Sequence, residues 1–109
     1  MKESNELINY CLETAGEPLE FDSVIIQGIP GFDLSVLYKG ETTVYEIERQ
    51  NFSFMVSTVE VESNEIKKGD FFELIDNTFR YKFQLDRPPI SDLMGYSELK
   101  VNFISKELI

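Results

Sequence analysis

The sequence predicts a mainly β fold: a small antiparallel β-barrel or sandwich of about five to seven strands, led by an N-terminal α-helix. Three observations predict it. Apolar and polar residues alternate in several short runs, most strictly over Phe79–Leu85. Turn-forming pairs, Gly69-Asp70 and Asp76-Asn77 among them, separate those runs. Helical spacing of apolar residues occurs only near the start of the chain. The 109 residues fit a single domain, 1–109, because domains run to roughly 100–200 residues.

The helix is read from Leu7, Ile8, Cys11, Leu12 and Ala15, which form one stripe at helical spacing. Ser4 or Asn5 can cap its start, Gly16 supplies the stop, and Pro18 follows. Residues 1–18 are thus expected to be helix and linker, and residues 19–109 the β body. The stripe buries itself on the β core or on a neighbouring subunit. Phe21, Val24, Ile25 and Ile26 suggest one strand ending at Gly28, and Ile29-Pro30-Gly31 a turn or break. Residues 32–50 are expected to be a long loop segment. Within it, Leu34, Val36 and Tyr38, and then Thr43, Tyr45 and Ile47, hint at short strands.

The second half is more regular. Phe52, Phe54, Val56 and Thr58 alternate with Ser53, Met55 and Ser57, and Val59 and Val61 extend that strand on its opposite face. Ile66–Asp70 is a turn and Phe71–Ile75 a strand. Asp76-Asn77 suits a two-residue hairpin connection. On the next strand Phe79, Tyr81, Phe83 and Leu85 form a buried face, with Arg80, Lys82 and Gln84 on the other. Residues 86–96 are read as a loop. Leu99, Val101 and Phe103 alternate with polar residues in a last strand. If it lies beside the previous strand, Glu98 faces Lys82 or Arg80, a pair that contributes about 0.2–1 kcal/mol.

Charge and composition exclude several functions. There are 20 acidic and 10 basic residues, net −10, and no histidine. DNA binding by phosphate neutralisation needs the opposite balance. Histidine-based triads and His-ligated zinc sites cannot be built. One cysteine, Cys11, gives neither an internal disulfide nor a Cys-rich metal site. No apolar run approaches the roughly 18 residues of a membrane helix. The polar, acidic start Met1–Glu6 does not read as a signal peptide, which points to a cytoplasmic protein. Residues 1–50 hold ten acids and three bases, and the remainder ten and seven. The excess either keeps a solvated surface soluble or meets a basic partner.

No constellation reads as catalytic, cofactor-binding or metal-binding. Glu46 with Glu48, and Glu60 with Glu62, would share strand faces, and a carboxylate pair of that kind can run glycoside hydrolysis. Without a deep pocket to separate their pKa values they read as solvated faces. Gly28-Ile29-Pro30-Gly31 is no nucleotide fingerprint, because Pro30 lacks the amide that would face a phosphate. Phe79, Tyr81 and Phe83 lie on the face opposite Arg80 and Lys82, so they do not form a stacking platform for single strands. The non-catalytic feature that stands out is Arg87-Pro88-Pro89-Ile90-Ser91-Asp92-Leu93-Met94-Gly95. Its prolines restrict the backbone. Ile90, Leu93 and Met94 either tuck under the barrel or meet another chain. Arg87, Pro88, Pro89, Ile90, Leu93 and Met94 are therefore a candidate interface loop. Gly69 and Asp70 are a structural turn, Gly69 for positive φ and Asp70 to accept turn amides.

The order of features over residues 52–104 resembles the small head–tail joining proteins of long-tailed bacteriophages, of the lambda head–tail attachment type. An apolar strand Ser53–Thr58 leads through a link into Ile66–Leu74 with its Gly69-Asp70 turn. The aromatic strand Phe79–Phe83 completes a hairpin. A loop carrying Pro89, Asp92 and Gly95 then precedes the closing strand Ser97–Val101. The resemblance implies a phage or prophage structural protein without enzymatic activity or cofactor. It would form a ring, a hexamer or dodecamer, between the portal or adaptor and the tail during virion assembly. It would work at the virion neck after assembly in the host cytoplasm. Identical neighbours in such a ring meet through heterologous contacts, for which residues 32–50 and 86–96 are the natural places. An acidic lumen would let DNA pass without gripping it. Two alternatives stand beside it: a tail terminator or tail-completion protein, and an acidic protein-binding module acting as a DNA-mimic inhibitor.

Overall fold

A computed structural model describes residues 16–32, 52–76, 78–92 and 94–109. They form seven strands and one helix. The elements are β1 (Glu17–Phe21), β2 (Val24–Pro30), β3 (Phe52–Ser57), α1 (Thr58–Ser63), β4 (Phe71–Ile75), β5 (Phe79–Leu85), β6 (Ile90–Ser91) and β7 (Tyr96–Leu108). Six strands close into an antiparallel barrel in the order β3-β2-β1-β4-β5-β7, with β7 returning to β3. The seventh, β6, adds to β7.

The barrel is two antiparallel meanders joined through α1. β1 and β2 pair from Glu17 opposite Gly28 to Phe21 opposite Val24, and β2 meets β3 at Ile29–Met55 and Pro30–Phe54. The run read as one strand is therefore a hairpin with Asp22-Ser23 at its turn. Only the pair Asp22-Ser23 marks that turn, with Phe21 and Val24 flanking it. Glu17 and Pro18 belong to β1 rather than to a linker, and Ile29 and Pro30 belong to β2 rather than to a break. Gly28 packs closely: a Cβ there would come 2.5 Å from Leu19 Cδ1, so that buried side chain would have to shift. The N-terminal helix expected over residues 7–15, the short strands expected within 33–50, and the Glu46–Glu48 pair lie outside the described residues.

The one helix among the described residues is α1, where a continuation of β3 was expected. In β3, Phe52, Phe54 and Val56 point inward. The same parity would drive Thr58, Glu60 and Glu62 into the core. Switching to a helix at Ser57 leaves both glutamates exposed and buries Val61 alone. Glu60 and Glu62, two apart on a helix, no longer share a face. Asn64 closes the helix through Nδ2 donating to the Glu60 carbonyl at 2.8 Å. Ile66 then returns the chain to the core.

β4 and β5 form the hairpin that the alternation predicts, from Phe71 opposite Gln84 to Ile75 opposite Arg80. The Asp76 N–H donates to the Phe79 carbonyl, so Asp76 closes the ladder and does not belong to the two-residue connection expected at Asp76-Asn77. Tyr81, Phe83 and Leu85 are buried, whereas Phe79 is only half-buried at the barrel's rim. Glu98 faces neither Lys82 nor Arg80. It lies near Lys100, at 3.7 Å, and the partner of Arg80 is Glu73, 2.7 Å from its Nε. Both pairs are solvent-facing, so each contributes little.

The interior is aromatic. The Phe83 ring lies 5.5 Å from Phe52, 5.7 Å from Phe54, 5.5 Å from Phe72 and 5.9 Å from Phe103. Three of these contacts are edge-on and the Phe72 contact is stacked, geometries that add to the burial of the rings. Leu19, Ile26, Val56, Leu74, Leu85, Leu99 and Val101 fill the remainder. Phe83→Ala should cost about 3–5 kcal/mol in denaturant unfolding, and Phe79→Ala clearly less. Equal costs would mean that the two residues share one environment, contrary to the strand's position at the rim.

Candidate functional site

The residues from Arg87 to Gly95 are not a plain loop. β5 and β6 lie along the same edge of β7, with Leu85 opposite Val101 and Ile90 opposite Glu98. Between them Asp86–Pro89 bulge out, four residues against Leu99 and Lys100. Pro88 and Pro89 have no N–H to give to the ladder, whereas the Asp86 N–H reaches the Lys100 carbonyl. The segment is therefore the far end of a long hairpin whose second arm is β7. Asp92 ties its turn. The Asp92 N–H donates to the Tyr96 carbonyl, and Asp92 Oδ1 accepts the N–H groups of Met94 at 2.8 Å and Tyr96 at 3.0 Å. Gly95 takes φ +98°, and its carbonyl accepts the Thr58 N–H at the start of α1.

Side-chain parity then decides what the turn presents. Ser91 pairs with the buried Ser97, and their hydroxyls are 2.9 Å apart. Ser97 is in turn 2.9 Å from Thr58 Oγ1. The Ser91 hydroxyl turns toward Ser97 although the residue itself stays exposed, and Ile90 beside it is 50% exposed. Met94 at the tip is 67% exposed, and Val59, on the first turn of α1, is 53% exposed. Ile90 and Met94 do not tuck under the barrel. Arg87 is also exposed, 3.6 Å from Asp86. Leu93 lies outside the described residues. This end of the barrel thus presents separate apolar side chains on a hairpin end with two prolines, an Asp-tied turn and a hydroxyl chain. Such an arrangement can bind a protein surface.

A second region lies across the barrel, where β1 and β4 meet only at Glu20 opposite Glu73. Like charges directly opposite are destabilising. A hollow of about 380 Å³ opens there, with Asp22, Asp70, Phe71 and Lys82 also on its wall. The Lys82 ammonium sits 4.7 Å from the Phe71 ring centre. Among the described residues no group of three carboxylate, thiol or imidazole side chains is placed to hold a metal ion. At the edge of this hollow, Gly69 takes φ +92° and Asp70 Oδ2 accepts the Lys67 N–H at 3.0 Å. The Gly69 N–H and the Asp70 carbonyl both bond Leu85, which docks the turn on the end of β5.

A third cluster was not visible in the sequence. β7 carries an extra residue, Ile104, where the register steps from Phe83–Phe103 to Lys82–Ser105. This bulge puts Lys106 opposite Tyr81, on the core side of the sheet. Its ammonium lies 4.4 Å from the Phe79 ring centre and 5.7 Å from that of Tyr81. Asp76 accepts the N–H groups of Thr78 at 2.7 Å and Phe79 at 2.6 Å, and the Tyr81 hydroxyl at 2.9 Å. Partial burial pushes its carboxyl up. The Phe79 and Thr78 amides, the Tyr81 hydroxyl and the Lys106 charge together outweigh that and hold it below its ordinary value.

The chain matches no family model, no curated protein and no solved structure. The reading of its function therefore rests on its own residues.

Asp76 generates a prediction with a definite sign. A carboxyl whose folded pKa is depressed contributes stability above its unfolded pKa, near 3.8, and loses it as pH falls through the lower folded value. Asp76→Asn should therefore lower the melting temperature at neutral pH. The gap from the parent protein should close as pH falls below the ordinary carboxylate range. A gap that is constant with pH would exclude the charge as its source.

Proposed function

We propose that the protein is a structural component of a bacteriophage head–tail joint, a ring-forming connector between portal and tail that uses the β6–β7 end of its barrel as a contact surface. The observation that carries this reading is that end itself, with Ile90, Met94 and Val59 exposed where the Ser91–Ser97 and Asp92–Tyr96 contacts tie the hairpin turn in the closed state. Pre-set geometry reduces the entropy lost on docking. The order of features over residues 52–104 supports the same reading: strand, link, Gly69-Asp70 turn, hairpin, proline-bearing loop and closing strand occupy one continuous wall of the barrel. The role is assembly rather than catalysis. Heterologous contacts between copies close a ring, and the acidic chain of net −10 does not grip the DNA passing through it.

One observation favours a second reading, an acidic module that binds a basic protein: Glu20, Asp22 and Asp70 line one hollow with Lys82, while Glu73 is already held by Arg80. A cationic partner would neutralise the carboxylates in the hollow that lack such a pair among the described residues. It predicts binding that weakens steeply with salt and produces no ring.

Electron microscopy of the protein mixed with portal and tail proteins encoded beside it tests the first reading. Rings are expected with the parent chain. They should be lost with Ile90→Asp or Met94→Asp at unchanged melting temperature. Absence of rings with every neighbouring protein, or rings unaffected by both substitutions, would overturn it.

A further inference from the structure

The same hairpin end contains an element with few attachments, and we propose that Arg87–Asp92 is a strap that opens locally while the barrel stays closed, uncovering the Ser97–Glu98 edge of β7. The inference rests on the ladder and not on the connector reading. β6 is two residues long, both exposed, and among the described residues it pairs with β7 alone. It is separated from β5 by the Asp86–Pro89 bulge, so the ladder does not run continuously from one to the other. In contrast, β7 at the same level is held from its opposite edge by β3, with Ser57 opposite Tyr96, Val56 opposite Ser97 and Met55 opposite Glu98. Removing the strap leaves that pairing whole.

The side chains point the same way. Ile90 is half exposed, so lifting it returns little apolar surface to water. Ser91 gives up its contact with Ser97, while Ser97 keeps Thr58. Asp92 Oδ1 is bonded to amides on the far side of the turn, which makes the turn the pivot and the Pro88-Pro89 bulge the other. Closed, the strap covers a strand edge that would otherwise be open to pairing with another chain. A segment of this kind opens at a small fraction of the free energy of global unfolding.

Native-state hydrogen exchange on the full chain, at rising sub-denaturing guanidinium, tests the strap. The amide of Ile90 should exchange at least about 100-fold faster than the slowest amides of β5 and β7, with almost no dependence on denaturant, while that of Asp92, at the pivot, stays slower than Ile90. Ser91→Ala, at an exposed position, should speed the strap amides about fivefold and leave the barrel amides unchanged. Strap and barrel amides that share one rate and one denaturant dependence would overturn the proposal. Equal acceleration of both by Ser91→Ala would do the same. Rings that form with the strap intact, or fail to form with it open, bear on the connector reading alone.

Discussion

Everything in this fold depends on β7 being paired on both edges at once. Val101 stands at the crossing: it faces Phe52 of β3 on one side and Leu85 of β5 on the other. Without either pairing the two meanders would form an open sheet with two free edges. Closure removes edges of that kind. It also fixes the level of every other strand, because the two meanders meet again only at the single β1–β4 pair, Glu20 opposite Glu73. That second seam has one paired position, with Glu73 held by Arg80, and the Phe21–Phe72 ring contact at 5.2 Å beside it. Most of the pairing that closes the barrel therefore lies along β7.

The core repeats the same logic in side chains. Phe52 and Phe54 come from β3, Phe72 from β4, Phe83 from β5 and Phe103 from β7, and all but Phe83 arrange themselves around Phe83. Large rings fill a narrow barrel with few residues, and their edge-to-face contacts set the relative rotation of the strands. The rim is organised differently at its two ends. At the Phe79 end, the Ile104 bulge turns Lys106 inward to cover aromatic faces and assist Asp76. At the β6 end, serine and threonine hydroxyls take that place, and apolar side chains are left facing solvent. The first end also leaves Ile104, Leu108 and Ile109 exposed, along the end of β7 and just beyond it. The second presents its apolar residues on a tied hairpin turn beside α1.

The parts of this arrangement that could be read from the residues are those governed by local rules. β5 alternates because one face is core and the other solvent, so Tyr81, Phe83 and Leu85 could be assigned inward. Gly69 announces its positive φ by identity. The Arg87–Gly95 segment stands out because Ile90 and Met94 are apolar where loops are usually polar. The remainder is set by tertiary context. Asp22-Ser23 are turn-forming residues, but with no Gly, Pro or Asn beside them the pair is a weak signal between two apolar runs. Val59 and Val61 have strand propensity, but the barrel ends at Ser57 and strand parity there would bury glutamates, so α1 forms instead. Glu20 meets Glu73 only through long-range register, and the Ile104 bulge has no distinguishing residue. For the same reason the exposed end was legible as a loop with apolar residues, but not as the tip of a hairpin latched to α1.

The connector reading requires a rigid closed body with one end free to engage, and that body exists only if β7 bridges both meanders. Solution NMR tests the bridge most directly through cross-strand backbone contacts within one species. The account predicts nuclear Overhauser effects linking Phe54 with Leu99 and Val56 with Ser97, alongside those linking Phe83 with Phe103. Contacts from β7 to β5 without any from β7 to β3 would mean an open sheet and would contradict the closure on which the fold, its exposed end and the proposed role depend.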